Sequence, residues 1–160
     1  MKIKKKDMRK DNCNIKIRKA IMSDIDSNLL NLYIDGYNIH QKNRCDIFLK
    51  KSDKELKDNL INVLNRDDKT YLVLTLNNDI SGYISYKLKN NSIWIDELVI
   101  DKNKRGLGYG KMLIGEIKKI AKNNDIKRVE LNCWKFNEKG VEFYKKLDFK
   151  EQRIIFEIDV

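Results

Sequence analysis

Apolar and polar residues along the chain recur with two periods, which separate predicted strands from predicted helices. Apolar and basic residues alternate over residues 14–20, which predicts a half-buried strand. Ser23, followed three residues later by Asp26, has the pattern of a capping box and predicts a first helix that ends near Asn38. Residues 40–51 follow as an irregular segment.

The remainder of the chain continues the same two periods. Ser52 and Glu55 form a second capping-box pattern and open a second predicted helix. Short turns rich in Asn and Asp then separate three strands, which are therefore expected to be antiparallel. The later predicted elements are strands at 70–76, 80–88 and 92–100, a helix at 108–123, a strand at 126–135, a helix at 138–147 and a strand at 149–159. A strand–helix–strand segment needs a crossover, so the strands flanking the 108–123 helix should be parallel neighbours. The order βααβββαβαβ predicts a mixed sheet with helices on its faces.

Composition and charge argue against several classes of protein. The 160 residues suit one compact domain, and no apolar run approaches the roughly 20 residues of a membrane-spanning helix. Residues 1–19 hold nine Lys and Arg and two Asp, so they supply +7 of the net charge of +10. We therefore expect a flexible basic arm at 1–13 before a single domain at 14–160, a cytoplasmic location, and no basic groove for nucleic acid. Three cysteines without a CxxC pair and one histidine argue against a disulfide framework or a metal site.

Three alternate glycines, Gly106, Gly108 and Gly110, lie between a predicted strand and a predicted helix. Glycine lets the backbone turn tightly and approach a ligand, and the N-terminus of a helix favours an anion, so this loop predicts a phosphate site. A dinucleotide fingerprint would need glycine at Lys111 or Leu113. A P-loop would need glycine at 105 and Ser or Thr at 112, which are Arg and Met. Neither of these two classes of phosphate site fits.

The remaining spacing, Arg-x-x-Gly-x-Gly over residues 105–110, resembles the pyrophosphate loop of the GNAT superfamily of acetyl-CoA-dependent N-acetyltransferases. In that family the loop follows an apolar triplet, here residues 98–100. The family segment Asn-x-x-Ala-x-x-Phe-Tyr-x-x-x-Gly-Phe is similar to residues 137–149, with Gly140 in place of Ala and Asp148 in place of Gly. Gly140 would leave room for a ligand, and Asp tolerates the left-handed conformation that ends this helix. The resemblance covers about residues 15–159.

The resemblance implies a fold, a co-substrate and a set of site residues. The fold would be the GNAT-like α/β (mixed α+β) fold, a mostly antiparallel sheet of six or seven strands flanked by about four helices. Acetyl-CoA would be the co-substrate, with no metal. The residues expected to bind it are Leu98, Val99, Ile100, Arg105, Gly106, Leu107, Gly108, Tyr109, Gly110, Lys111, Asn137 and Tyr144.

Two side chains are candidates for catalysis. Glu97 is the candidate base, and Asp96 is its alternative, because strand alternation should turn only one of them toward the cleft. Tyr144 is the candidate acid for the departing thiolate, or else a core aromatic residue. The backbone N–H of Val99 would stabilise the oxyanion. Asn137 could cap its helix as well as contact the cofactor. A covalent route through a cysteine is less favoured than direct transfer in a ternary complex.

The acceptor is expected to be a primary amine of a small molecule or peptide, walled in part by residues 36–48, where the spacing of His40, Arg44, Asp46 and Phe48 resembles some family members. Trp94 and Trp134 could line the same cleft. A non-catalytic acetyl-CoA sensor and a nucleic-acid module using the basic arm stay as alternatives. A homodimer is also possible by analogy.

Overall fold

Strongly apolar β-hairpin segments dominate the middle of the chain, and they form the centre of the sheet. The computed structural model describes residues 14–160, so the predicted basic arm at 1–13 lies outside the described residues. The strands are β1 (Ile15–Lys19), β2 (Thr70–Leu76), β3 (Asp79–Lys89), β4 (Ser92–Ile100) and β5 (Arg128–Leu131). They lie side by side in the order β1-β2-β3-β4-β5. All neighbours are antiparallel except β4 and β5, whose predicted parallel pairing is confirmed.

Four α-helices cover the two faces of this sheet. Their bounds are α1 (Asn28–Asn43), α2 (Asp53–Leu64), α3 (Tyr109–Asn123) and α4 (Glu138–Lys146). On one face, the apolar stripe of α3 packs on the inner strands through Leu113, Ile114 and Ile117, which are fully buried. On the other face, Leu29 of α1 and Leu60 of α2 pack against the tyrosines of β2 and β3. The predicted fold class is confirmed. Within residues 14–160, every helix is too short or too polar to cross a membrane.

The first helix begins and ends later than predicted. Residues Met22–Asp26 form a 3-10 turn, and α1 starts only at Asn28 and continues to Asn43. The predicted capping box of Ser23 with Asp26 does not form, because Ser23 lies inside the turn and not at its N-cap. The carboxylate of Asp24 accepts the N–H of Ile21 instead, at 2.9 Å. Arg18 of β1 binds that carboxylate through two hydrogen bonds, so a contact with the sheet decides where the turn forms. The second predicted capping box, at Ser52, is confirmed.

The last predicted strand, residues 149–159, is wrong. Residues 150–160 form neither strand nor helix, and residues 151–160 are all exposed. The five strands of the described residues are therefore fewer than the six or seven expected. Strand β5 is also shorter than predicted. Alternation of apolar residues indicates which face of a segment can be buried. Forming a strand of the sheet also requires a neighbouring strand in register.

Candidate functional site

Strands β4 and β5 pair at one end and separate at the other. Strand β4 pairs with β3 over its whole length, but its ladder with β5 ends at Ile95 and Leu131. Beyond Ile95, β4 has no strand partner on that side among the described residues. Unpaired backbone N–H and C=O groups at such an edge are available to an extended ligand. The predicted cofactor residues 98–100 lie in this stretch, which we call the open edge of β4.

The glycine loop lies at the far end of the open edge. Gly106 and Gly108 have φ of 77° and 90°, in the left-handed region that favours glycine. A Cβ at either position would meet no atom within 4 Å, so the loop faces open space. Helix α3 begins at Tyr109, and the N–H groups of its first turn have no partner inside the helix. Lys111 lies in that first turn. The loop therefore has the geometry and charge of an anion cradle.

Arg105 and Gly110 are held by contacts within the protein. The Nε of Arg105 donates a hydrogen bond to the carbonyl of Ile100 at 3.0 Å, which ties the loop to the end of β4. A Cβ on Gly110 would lie 3.0 and 3.2 Å from two ring carbons of Phe143. Gly110 is thus required by the close packing of α3 on α4.

Asn137 and Gly140 are also held together by close contacts within the protein. The side chain of Asn137 accepts the N–H of Gly140 at 3.1 Å and caps α4, as predicted. A Cβ on Gly140 would lie 2.8 Å from Cγ of Asn137, so that carboxamide fills the room that we expected a ligand to use. Asp148, after α4, has the predicted left-handed conformation, with φ of 66°.

Glu97 lies on the open edge with one carboxylate oxygen fully engaged. The hydroxyls of Tyr71 and Ser85 donate to Oε2 at 2.9 and 3.0 Å, and Nζ of Lys69 lies 3.6 Å from the same atom. Oε1 accepts no hydrogen bond from any of the described residues. Because the bonds to Oε2 fix the orientation of the carboxylate, Oε1 is positioned to accept a proton from a bound molecule.

Asp96 does not point away from Glu97 as strand alternation predicted. Ser85 lies opposite Glu97 and Tyr86 lies opposite Ile95, so Asp96 is an extra residue in the ladder. Such a bulge interrupts the two-residue period. The carboxylates of Asp96 and Glu97 therefore converge on one ammonium group, and Nζ of Lys69 lies 3.4 Å from Asp96.

Buried tyrosines surround Glu97 from the α1 face of the sheet. Burial, with the charge of Glu97 nearby, raises the pKa of Tyr33 to about 12 and the pKa values of Tyr71 and Tyr83 well above their ordinary value. All three therefore stay protonated and can donate. Among the described residues, the buried hydroxyl of Tyr83 has no hydrogen-bond partner. A Cβ on Gly36 would lie 3.1 Å from a methyl carbon of Val99 and 3.7 Å from that hydroxyl, so the close approach of α1 to Val99 favours glycine at this position.

Aromatic residues from three segments form a cluster, here called the aromatic wall, whose His40 is close enough to Glu97 to feel its charge. Phe48 stacks on His40 at 5.1 Å, and Trp134 stacks on Phe136 at 5.9 Å, measured between ring centroids. Phe48 also meets Trp134 edge to face at 6.2 Å, and the guanidinium of Arg44 lies 4.8 Å from the centroid of the Trp134 ring. Burial lowers the pKa of His40, so its imidazole is neutral at physiological pH. His40, Arg44 and Phe48 of the predicted segment 36–48 belong to this contact set, and the role of that segment at the acceptor stays a prediction. Phe136 was not predicted, although it alternates with Trp134.

Tyr144 lies on α4 among aromatic side chains. Its ring centroid is 5.2 Å from that of Phe143 and 5.5 Å from that of Phe149. Burial raises the pKa of Tyr144 above its ordinary value, as does the nearby Cys133. The phenol therefore stays protonated and can act as a proton donor. Burial also raises the pKa of the Cys133 thiol, which makes that thiol a poor nucleophile.

Curated proteins from two organisms are similar to this chain in sequence. The chain is 27% identical over 146 residues to an uncharacterized N-acetyltransferase of Methanocaldococcus jannaschii, covering 87% of this chain and 62% of that protein. It is 31% identical over 81 residues to a probable spermine N(1)-acetyltransferase of Bacillus subtilis subsp. natto, covering 45% of this chain and 53% of that protein. The chain thus spans about half to three fifths of the length of these curated relatives.

Solved structures and a family profile extend the comparison. The structure of the PaiA N-acetyltransferase of Thermoplasma acidophilum in complex with coenzyme A superposes with a TM-score of 0.70 at 23% identity, covering 87% of this chain and 91% of that chain. This likeness concerns the fold. The sequence profile of the acetyltransferase (GNAT) family matches residues 31–149, about three quarters of the chain. The chain belongs to the GNAT family of acetyltransferases.

Proposed function

We propose that the protein is an acetyl-CoA-dependent N-acetyltransferase that acetylates a primary amine of a small molecule or peptide by direct transfer in a ternary complex. The observation that carries the proposal is the free Oε1 of Glu97, held at the point where β5 separates from β4. A proton acceptor, an unpaired strand edge and an anion cradle follow one another along the same stretch of chain.

The co-substrate fits the open edge and the loop. Acetyl-CoA carries an activated acyl group on an extended pantetheine arm and a pyrophosphate. We assign the arm to the open edge beside Leu98, Val99 and Ile100. The backbone groups of Leu98 and Ile100 face away from β3, on the side where β5 leaves them without a strand partner among the described residues. We assign the pyrophosphate to residues 105–111, where the first-turn N–H groups of α3, Arg105 and Lys111 supply positive charge. The complex of the Thermoplasma relative with coenzyme A supports this assignment.

Glu97 would act as the base. A lysine-like amine has an unperturbed pKa of about 10.4, so about one molecule in a thousand is neutral at physiological pH. Oε1 would take the proton that the amine loses, directly or through one water molecule. An N–H on the open edge of β4 would stabilise the oxyanion that forms during transfer, and Tyr144 would return a proton to the thiolate. The predicted N–H of Val99 does not suit this role. The bond from the N–H of Asp101 to the carbonyl of Ser81 and the alternation of an antiparallel ladder turn the backbone groups of Val99 toward Tyr83 of β3. Asp96 is already bound to two lysines, which disfavours it as the base.

The acceptor would lie between Glu97 and the wall of His40, Phe48, Trp134 and Phe136. Aromatic faces attract ammonium groups and pack on the alkyl chains between them. A polyamine has both features, and the relative from Bacillus subtilis is named as a probable spermine acetyltransferase. Spermine is therefore the first acceptor to test, before amino acids, aminoglycosides and peptides with a free N-terminus.

The experiment measures free thiol released from acetyl-CoA with this panel of acceptors. We expect turnover with at least one amine, and we expect Glu97→Gln to lower kcat by about 100-fold with little change in the affinity for acetyl-CoA. Asp96→Asn is the matched control, because it removes the neighbouring charge from the same lysine, and it should retain kcat within about threefold. A loss confined to Asp96→Asn would assign the base to Asp96. Tight binding of acetyl-CoA without turnover on any acceptor would show a sensor.

A further inference from the structure

The side chain of Lys69 crosses the surface of the sheet to reach β4. Lys69 directly precedes β2, and strand β3 lies between β2 and β4. Neighbouring strands are about 4.8 Å apart, so β2 and β4 are about 10 Å apart and the lysine side chain extends across β3. Its Nζ lies 3.4 Å from Asp96 and 3.6 Å from Glu97, and only 17% of the side chain is exposed. A long side chain is therefore held extended and largely covered beside the candidate base.

The bulge at Asp96 explains why an ammonium group is needed at this point. In a regular strand, the carboxylates of adjacent residues would lie on opposite faces of the sheet. The bulge instead brings those of Asp96 and Glu97 to the same ammonium group. Two carboxylates side by side disfavour each other's ionised form, and a cation within about 4–6 Å favours it. Without the lysine the two carboxylates would share a proton, and a protonated Glu97 could not act as a base.

Lys69 provides charge, whereas other residues fix the direction of the carboxylate. The hydrogen bonds that orient Glu97 come from Tyr71 and Ser85, at 2.9 and 3.0 Å. The longer distances from Nζ of Lys69 are those of an ion pair without a strong hydrogen bond. The ammonium group also lies 5.2 Å from the centroid of the Tyr71 ring, whose face attracts a cation and helps to hold it in place. Another cationic side chain at position 69 should therefore replace the lysine, and a neutral one should not.

We propose that Lys69 is a positioning residue, which acts on the base and not on the substrate: its charge keeps Glu97 ionised beside Asp96, so that Oε1 can accept the proton of the amine. The inference rests on the proposed function, because it takes Glu97 as the base. Lys69 is the cation within ion-pair distance of this carboxylate among the described residues. The other groups around Glu97 are neutral, namely the hydroxyls of Tyr33, Tyr71, Tyr83 and Ser85 and the imidazole of His40.

The test is the pH dependence of kcat, measured with the best acceptor from the thiol-release panel. Lys69→Met should move the acidic limb of the profile to higher pH by about one unit, the lower end of the effect of a nearby opposite charge, because these side chains are partly exposed. Lys69→Arg keeps the charge and should retain the wild-type limb. Adding Asp96→Asn to Lys69→Met removes the repulsion and should move the limb back toward the wild type. Lys87→Met is the matched control. Nζ of Lys87 lies 3.6 Å from Asp96 and pairs with it instead of Glu97, so the limb should move by less than about 0.3 unit.

Titration of the Glu97 carboxyl, followed by 13C NMR and assigned with Glu97→Gln, is a second readout that needs no turnover. Its midpoint should rise in Lys69→Met together with the limb of kcat. An unchanged midpoint would overturn the inference and leave the proposed function in place. A midpoint that rises while the limb of kcat stays would show that Glu97 is not the base, which would overturn both. A loss of kcat that is equal at every pH would also overturn the inference, because a purely structural role lowers activity without moving the limb.

Discussion

The same substitution, glycine to alanine, is predicted to have opposite effects on stability at Gly108, which precedes α3, and at Gly115, which lies inside it. Gly108 precedes the helix with φ of 90°, so Ala there must adopt a left-handed conformation. That conformation costs a non-glycine residue about 1–2 kcal/mol, and no neighbouring atom adds a clash. Gly115 lies inside the helix, where a Cβ also meets nothing within 4 Å. Ala there should stabilise the helix by about 1 kcal/mol.

Urea unfolding of the two variants measures this difference. We expect Gly108→Ala to lower the free energy of unfolding by about 1–2 kcal/mol and Gly115→Ala to raise it by about 1 kcal/mol. The Tm of Gly108→Ala should fall by roughly 2–8 °C. Gly108→Asn should lose less than Gly108→Ala, because Asn tolerates the left-handed region. Shifts of the same sign for the two Ala variants would refute the conformational argument.

The same two variants test whether the loop, and not the interior of α3, determines the affinity for acetyl-CoA. A strained residue at 108 displaces the first-turn N–H groups that we assign to the pyrophosphate, whereas residue 115 lies two turns away. Gly108→Ala should therefore weaken binding of acetyl-CoA in a calorimetric titration, and Gly115→Ala should leave it unchanged. Equal affinities of the two variants for acetyl-CoA would show that the loop does not bind the pyrophosphate.

Two further predictions concern residues that stabilise the turn before α1 and the first turn of α4. Asp24 is 6% exposed and bound by Arg18, which lowers the pKa of its carboxyl. Its stabilisation is present above the unfolded pKa of about 4 and is lost as pH falls through the lower folded pKa. Asp24→Asn should thus cost about 2 kcal/mol in urea unfolding at pH 7 and much less at pH 2, and a pH-independent cost would contradict this. Gly140→Ala should give no net gain in Tm, because its Cβ displaces the capping side chain of Asn137. In an Asn137→Ala background the same change should stabilise by about 1 kcal/mol, and equal effects in both backgrounds would exclude the coupling.

Local patterns predicted the elements whose causes are local. The capping box at Ser52 was predicted because both of its partners lie within three residues. The parallel pairing of β4 with β5 was predicted from the crossover rule. The glycine loop was predicted to join a strand to a helix, and it lies between β4 and α3. These features need no knowledge of distant contacts.

The errors come from tertiary contacts. The start of α1 depends on Arg18 binding Asp24, and nothing in the pattern around Ser23 indicates that contact. The bulge at Asp96 places two carboxylates on one lysine, although strand alternation predicts opposite directions. The aromatic wall joins α1 to the segment after β5, which are nearly 100 residues apart in sequence. Residues 149–159 have the period of a strand, but pairing requires an available neighbour in register.

The central claim is that the gap between β4 and β5, together with the glycine loop, binds acetyl-CoA. Amide hydrogen exchange of the 160-residue chain, with and without saturating acetyl-CoA, tests this claim most directly. The account predicts slower exchange at Leu98, Ile100 and residues 106–111, with no change in β1 or β2. Bound acetyl-CoA that leaves the amides of Leu98 and Ile100, which face away from β3, unprotected would contradict it.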